Sequence, residues 1–235
     1  TADGLLLASI PIMLVLLYAA ATLRAREAIA RQIREHAAAA KSALQSAREL
    51  SLRSEQIRQN SYRAFDDRKQ AEGEQLWDQM RALQQEGQQL FRRAIGSAEA
   101  AFLLDSRRPE QRQLVATVLY EQALAAERDN ALSQRDDLIQ RLALYDSDGA
   151  FRRRWEAPAS IDILSEPAGA LVSLTPIDGQ YQLRRERTAQ LGATPLLRIR
   201  LTPGAYLLTL RSPGRVEVKY PIVLERAEAL PLRVY

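Results

Sequence analysis

The sequence predicts a multidomain α+β protein, in which a transmembrane helix leads into an antiparallel helical bundle or stalk and then into a small antiparallel β-sandwich. Three observations support this fold class. An uncharged apolar run comes first, apolar residues then recur with the period of a helix, and in the last third the period changes to two. The predicted segments are 1–25 for the span, 26–150 for the helical region, 151–157 for a linker and 158–235 for the β-sandwich.

The overall composition excludes several kinds of site. The chain has no Cys and a single His, which excludes a Cys-based zinc site, a disulfide framework and a Cys nucleophile. The net charge is +4, from 33 basic and 29 acidic residues. Because the two signs are interspersed, we interpret them as solvated helix faces and expect no nucleic acid partner.

The first predicted element is the transmembrane helix. Residues 4–23 contain no charged side chain, and a helix of that length covers about 30 Å, the thickness of the hydrocarbon core. Arg24 and Arg26 form its flank. A signal peptide and a buried soluble helix are the alternatives. The expected location is the inner (cytoplasmic) membrane with a single pass, and the arginine flank alone would place the following residues in the cytoplasm.

The helical region carries a narrow stripe of small apolar residues. No Pro or Gly interrupts residues 24–72, so one long helix is predicted there. A stripe made mainly of Ala needs a close partner, either another helix of the chain or a second protomer, and a homodimer through the stalk is a further expectation. His36 lies on this stripe, where we expect it to be packed or solvated.

Two segments beyond this helix allow a more specific interpretation. Residues 90–128 resemble a tetratricopeptide-type helical hairpin, but no clear repeat follows, and an ordinary antiparallel bundle is the alternative. In the linker, Arg152, Arg153 and Trp155 combine basic and aromatic side chains. We interpret the linker as a hinge that packs Trp155 onto the next domain, and we count these three residues in a candidate interaction surface.

From residue 158 onward, six or seven short strands are predicted between turns. Pro203-Gly204 and Pro213-Gly214 fit type II turns, because Gly takes a positive φ without steric cost. The segment 181–187 is predicted to be the third strand. Pro195 and Pro221 are expected at strand starts or edges.

The strand before Pro203 has a clear alternation. Leu197, Ile199 and Leu201 are predicted to face one way, and Arg198 and Arg200 the other. The two arginines therefore belong to the candidate interaction surface.

Three short motifs occur in order in this region, within "EPAGALVSL…LGATPL…LTPGAYLLTLRSPG". Their motif positions are Pro167, Gly169, Ala170, Gly192, Thr194, Pro195, Pro203, Gly204 and Tyr206. The stretch resembles a PEGA domain, a small β module named for its Pro-Glu-Gly-Ala motif. Ala168 stands where the family name has Glu, and the segment 177–190 is longer than the usual hairpin. The resemblance implies a structural role for the motif residues.

The order of span, helical region and β module is similar to the middle of myxobacterial-type transmembrane Ser/Thr protein kinases. In that family a cytoplasmic kinase domain precedes the span, and a formylglycine-generating-enzyme-like domain often follows the PEGA domain. The resemblance implies a periplasmic or otherwise extracytoplasmic C-terminal part, which opposes the inference from the arginine flank.

We therefore expect a non-catalytic, membrane-anchored sensor or linker region of a bacterial receptor Ser/Thr kinase, which mediates protein or envelope-polymer interactions and signal transmission. No catalytic, cofactor-binding or metal-binding residue is predicted, since the sequence lacks a phosphate loop, a kinase signature, GxSxG and HExxH. Two alternatives stay open. One is a structural envelope-binding PEGA protein, and the other is a scaffold that presents a formylglycine-generating-enzyme-like catalytic domain outside this sequence.

Overall fold

The chain divides into two compact units, Thr1–Asp146 and Ser147–Tyr235, which we call the helical unit and the β unit. The structure is a computed structural model that describes residues 2–179 and 182–235, and within residues 2–16 only the side chain of Met13 is described. The fold class is mixed α+β, because helices make up the first unit and two small sheets dominate the second.

The helical unit contains four helices, each packed mainly against its neighbour in the chain. They are α1 (Ala2–Asp66), α2 (Gln70–Leu104), α3 (Pro109–Arg128) and α4 (Leu132–Ala143). Pro109 occupies the first turn of α3, where its missing N–H leaves no helical hydrogen bond unmade. An ion pair of 2.7 Å between Arg48 and Glu121 ties α1 to α3.

α1 and α2 form a tight antiparallel hairpin. The Ser61 hydroxyl, which is buried, donates to the Gly73 carbonyl at 2.8 Å, and further along Gly87 lies against Leu50. Small residues with no exposed surface line the contact; they are Ala40 and Ala47 of α1 and Ala94, Ala98 and Ala101 of α2. The predicted Ala stripe of α1 therefore has another helix of the same chain as its partner, and no second protomer is needed to bury it.

The prediction of a membrane span over residues 1–25 is corrected by this structure. Within the part of the chain that the structure describes, no helix is both long enough and apolar enough to cross a membrane. Most side chains of residues 4–23 lie outside the described residues.

The expectations that depended on the span are corrected with it. α1 continues through Arg24 and Arg26 without a break, and both arginines are exposed on this helix. Both arginines therefore lie within one continuous helix, as predicted for the residues that follow the apolar run. Three further predictions are wrong for the same reason. They are the membrane as a partner, the inner-membrane location and the periplasmic placement of the C-terminal part.

The β unit begins with a short helix and continues as seven strands. The elements are α5 (Ala150–Trp155), β1 (Ala159–Ser165), β2 (Leu171–Ile177), β3 (Ala189–Ala193), β4 (Leu196–Leu201), β5 (Gly204–Arg211), β6 (Val218–Leu224) and β7 (Ala229–Val234). The predicted third strand at 181–187 is wrong, since Arg185–Arg187 is a 3-10 turn and β3 begins at Ala189.

The prediction of a small antiparallel β-sandwich is also wrong, because one of the strand pairs, β1 with β7, is parallel. The strands form two separate sheets, a three-stranded one in the order β4-β1-β7 and a four-stranded one in the order β3-β2-β5-β6. β1 and β7 run parallel, with Ile161 opposite Leu230 and Ile163 opposite Leu232. A hairpin cannot join two parallel strands. The chain therefore passes through the other strands of the unit before β7 pairs with β1.

Apolar side chains of both sheets nevertheless form one core. Ile161 and Ile163 of β1, Val172 of β2 and Leu208 of β5 are completely buried in it. Burial of each such side chain contributes about 1.5–3 kcal/mol to the stability of the unit. The core fixes one face of each sheet and leaves the opposite faces available for other contacts.

Candidate interaction surface

The side chain of Thr194 holds together the first two motifs of the β unit. Thr194 is only 4% exposed, and its Oγ1 accepts hydrogen bonds from the N–H groups of Gly169 at 3.0 Å and Ala170 at 3.1 Å. Its own N–H donates to the Ala170 carbonyl at 3.0 Å, and the Ser165 hydroxyl lies beside its Oγ1. One buried hydroxyl therefore fixes the β1–β2 turn against the segment between β3 and β4.

The two backbone segments that Thr194 joins share two features, a cis peptide bond before Pro and a Gly with a positive φ. The peptide bonds Glu166-Pro167 and Thr194-Pro195 are both cis. Gly169 has a φ of +94° and Gly192 a φ of +113°, in a region that other residues rarely adopt. The Pro, Gly and Thr residues of these motifs therefore determine the path of the chain.

The third motif forms a corner at the start of β5. Tyr206 is 8% exposed, and its hydroxyl donates to the Thr202 carbonyl at 2.8 Å. Its ring lies 3.7 Å from the position that a Cβ of Gly204 would occupy. The φ of Gly204 is +154°, whereas the second central position of a type II turn is near +80°, so the predicted type II turn is wrong here.

The second Pro-Gly pair follows the prediction. Gly214 has a φ of +73°, and the N–H of Arg215 donates to the Ser212 carbonyl at 3.1 Å. These are the φ and the hydrogen bond of a type II turn, so this prediction is confirmed.

A β-bulge interrupts the pairing of β1 with β4. Ile161 stands opposite Ile199 and Ile163 opposite Leu196, so Leu197 and Arg198 together face the single residue Asp162. Two residues opposite one define a bulge. The φ of Arg198 is +52°, and its N–H donates to Oδ1 of Asp162 at 2.7 Å.

The bulge changes which residues of β4 face outward. Leu197 is 61% exposed, although strict alternation predicted that it would share a face with Ile199 and Leu201. Leu196 packs against the core in its place, together with Ile199 and Leu201. The extra residue shifts the side-chain alternation by one position, and this is why the prediction for Leu197 is wrong.

The outer face of the three-stranded sheet is rich in arginine. Arg200 lies opposite Ser160, and Arg233 of β7 lies opposite Leu164, so both share the face of Asp162. We call this surface the arginine face; it consists of Ser160, Asp162, Leu164, Leu197, Arg198, Arg200, Ala229, Pro231 and Arg233. All three arginines are exposed.

The charges of the arginine face are poorly balanced. Its one acidic residue is Asp162, and Oδ1 of that carboxylate accepts the backbone N–H of Arg198. Among the described residues, no ion pair or side-chain hydrogen bond involves the guanidinium groups of Arg198, Arg200 or Arg233. The face therefore presents three guanidinium groups that can bind an external acceptor.

The linker residues are engaged within the β unit. The guanidinium group of Arg226 lies 3.7 Å above the centroid of the Trp155 ring, and its Nε donates to the Trp155 carbonyl at 2.8 Å. Arg153 donates to the Asp148 carbonyl at 2.8 Å. Arg152 is exposed on the same helix. The Trp155–Arg226 stack holds α5 against the turn between β6 and β7, in the unit to which both residues belong.

In the helical unit, the pKa of the Asp129 carboxyl is shifted from its ordinary value. Asp129, at the end of α3, accepts a hydrogen bond of 2.7 Å from Gln84, and the neighbouring Arg58 donates to the Arg128 carbonyl. Burial raises the pKa of the Asp129 carboxyl above its ordinary value, while the hydrogen bond from Gln84 and the charge of Arg58 lower it in part. The neighbours of this carboxyl are the Gln84 amide and the Arg58 guanidinium group, and these side chains connect α1, α2 and the end of α3.

Across residues 2–179 and 182–235, no cluster of three or more His, Asp and Glu side chains could hold a metal ion. His36 is half-buried on α1.

Of the nine residues of the arginine face, only Arg198 and Arg200 were predicted from the sequence, and Arg233 and Leu197 are the omissions that matter most for binding. Arg233 alternates with Leu232 and Val234 in a pattern that marks a strand, but its place beside β1 depends on a parallel pairing for which the sequence has no local signal. Leu197 was assigned to the core because nothing within β4 itself indicates a bulge.

The chain matches no protein-family model and no curated protein. The resemblance to the PEGA domain and to the middle of Ser/Thr kinases therefore stays a prediction, based on the motif residues.

Proposed function

We propose that this chain is the non-catalytic sensor or linker region of a bacterial signalling Ser/Thr kinase, and that its β unit binds a protein partner. The observation that carries the proposal is the arginine face. Its guanidinium groups are exposed and lack partners among the described residues, while the opposite face of the same sheet belongs to a dense core. Side chains on such a sheet are held at fixed spacing and need little ordering when a partner binds.

The motif residues support a non-catalytic role. The hydroxyl of Thr194 already accepts two backbone N–H groups, and the hydroxyl of Tyr206 donates to a carbonyl. Both groups are buried, which excludes them from contact with a substrate. The polar chemistry of the motifs is therefore used to shape turns, and the surface left for function is the outer face of the sheet.

Site-specific photocrosslinking tests the proposal. A benzophenone side chain replaces Leu197 in the full chain, and the matched control places it at Val223, which is 69% exposed on the four-stranded sheet. After irradiation in an extract of the source bacterium, we expect a protein adduct at position 197 that mass spectrometry identifies and that position 223 does not give. Equal adducts from both positions, or none from position 197, would overturn the proposal.

A further inference from the structure

We infer that the arginine face binds an acidic, extended polypeptide segment whose apolar side chain lies beside its carboxylates. The inference rests on the proposed function, because it names the class of partner that the β unit would bind. It follows from the spacing of the arginines, from the apolar side chains between them and from the small number of acids on the face.

The spacing of the arginines matches an extended chain. Arg198 and Arg200 are two residues apart on β4, and alternate residues of an extended strand are about 6.6 Å apart. A bound peptide in the same conformation presents side chains of one face at the same interval. Carboxylates at positions i and i+2 can therefore meet both guanidinium groups, and each such pair can be bidentate.

The apolar part of the face distinguishes between kinds of anion. Leu197 is 61% exposed next to Arg198, and Pro231 and Leu164 lie on the same face. An apolar side chain of the partner would cover this surface and exclude water from the neighbouring ion pairs. The face has no aromatic ring on which nucleic acid bases could stack, and a polysaccharide phosphate backbone has no apolar side chain, so the mixed surface favours a polypeptide.

Positive charge predominates on the face, with three arginines and one carboxylate. The single carboxylate, Asp162, is held by the backbone of the bulge, since its Oδ1 accepts the Arg198 N–H at 2.7 Å. An acidic partner can therefore approach three guanidinium groups, with only one carboxylate of the chain on the same face to compete for them. The bulge itself creates this arrangement, because it brings Leu197 and Arg198 to the surface together.

Fluorescence anisotropy with the full chain tests the inference. The probe is a labelled peptide Gly-Glu-Ser-Glu-Ser-Leu-Gly, in which both Glu and the Leu share one face when the chain is extended. We expect saturable binding that weakens with salt, and a loss of about tenfold in affinity for Arg198→Gln/Arg200→Gln, since each exposed ion pair contributes up to about 1 kcal/mol. Leu197→Ser should lose about threefold.

A matched control removes the same charge elsewhere. Arg185 and Arg187 are also exposed and two residues apart, but they lie on the 3-10 turn outside the arginine face. Arg185→Gln/Arg187→Gln should change the affinity by less than about twofold if binding is specific. Equal losses in the two double variants would overturn the inference, and unchanged thermal unfolding of each variant establishes that it is folded.

Two further outcomes separate this inference from the proposed function. If the Gln-for-Glu peptide binds as well as the probe, or if a DNA oligonucleotide or polyphosphate binds more tightly, then the partner is not an acidic polypeptide. If the probe does not bind while the crosslink at position 197 forms, the named partner class is wrong and the proposed function stands. Failure of the crosslink overturns the function itself.

Discussion

The helical unit and the β unit use small residues for different purposes. In the α1–α2 hairpin, Ala and Gly lie between two helices and allow their backbones to approach closely. In the β unit, Gly occupies positions of positive φ at turns, and a small hydroxyl residue ties those turns together. Small residues thus determine packing distance in one unit and the path of the chain in the other.

The two units can be followed separately by fluorescence. The chain has two Trp residues, and Trp77 lies in the helical unit while Trp155 lies in the β unit. A Trp77→Phe background therefore reports the unfolding of the β unit, and a Trp155→Phe background reports that of the helical unit.

The largest effect is expected at Thr194. Thr194→Val keeps the shape of the side chain but removes the hydroxyl acceptor of the buried Ala170 N–H, whereas the exposed Gly169 N–H keeps its hydrogen bond of 3.0 Å to the Thr194 carbonyl. A buried donor left unpaired costs about 1–3 kcal/mol, so we expect the β unit to lose about 2 kcal/mol. Urea unfolding followed through Trp155 measures this loss.

The matched control for this position is Thr194→Ser, which keeps the hydroxyl. It should lose about 1 kcal/mol or less, which is the contribution of one buried methyl group. Equal losses for Val and Ser would show that the hydroxyl does not hold the turn. The statement that a small hydroxyl residue ties the turns of the β unit together would then be wrong.

A smaller effect is expected at Gly73 on α2. A Cβ at this position would lie 2.4 Å from Cε1 of Phe65, so the ring has to move. Gly73→Ala should destabilise the helical unit by about 1–2 kcal/mol, because overpacking exceeds the gain in helix propensity. Thermal unfolding followed by circular dichroism and by Trp77 measures this change.

Gly96 on the same helix is the control, since no atom lies within 4 Å of its added Cβ. Gly96→Ala should stabilise the unit by about 0.5–1 kcal/mol through helix propensity alone. If both substitutions stabilise, close packing of the hairpin does not depend on Gly73.

The smallest effect concerns pH and the helical unit. Because the pKa of Asp129 is raised in the folded state, that state binds more protons in the window above the ordinary value of 3.8, and stability falls as pH rises through it. Asp129→Asn should therefore be more stable than the natural chain at pH 7, by a few tenths of a kcal/mol for this partly exposed group. The difference should disappear as the pH falls below 3.8.

Urea unfolding through Trp77 at several pH values checks this prediction. The Asn side chain retains an oxygen for the hydrogen bond from Gln84, so the substitution tests the charge alone. A loss of stability at neutral pH would mean that the carboxylate contributes favourably through Arg58.

Local patterns in the sequence predicted the local features of the fold. The Ala stripe of α1, the first position of α3 and the turn at Pro213-Gly214 are determined by neighbouring residues, and the structure has them as predicted. The exposed positions of Arg198 and Arg200 also followed from alternation within one strand.

The errors concern features that depend on distant residues. The bulge in β4 is held by Asp162, which is 36 residues away in the chain, and the place of Arg233 depends on a parallel pairing with β1. The packing of Trp155 onto the β module was predicted, but its partner Arg226 comes from a turn 71 residues later and has no local signal. The predicted span rested on apolar composition over residues 4–23, whereas no helix within the described part of the chain is both long and apolar enough to cross a membrane.

The bulge in β4 also affects whether two copies of the protein can pair through the edges of their sheets. β4 is an edge strand of its sheet, and a flat, uncharged edge would pair with the same edge of another molecule. Here the extra residue bends the hydrogen-bonding row, and two exposed guanidinium groups repel their counterparts in a second copy. The bulge and the charges of this edge strand therefore both disfavour pairing between copies of the protein.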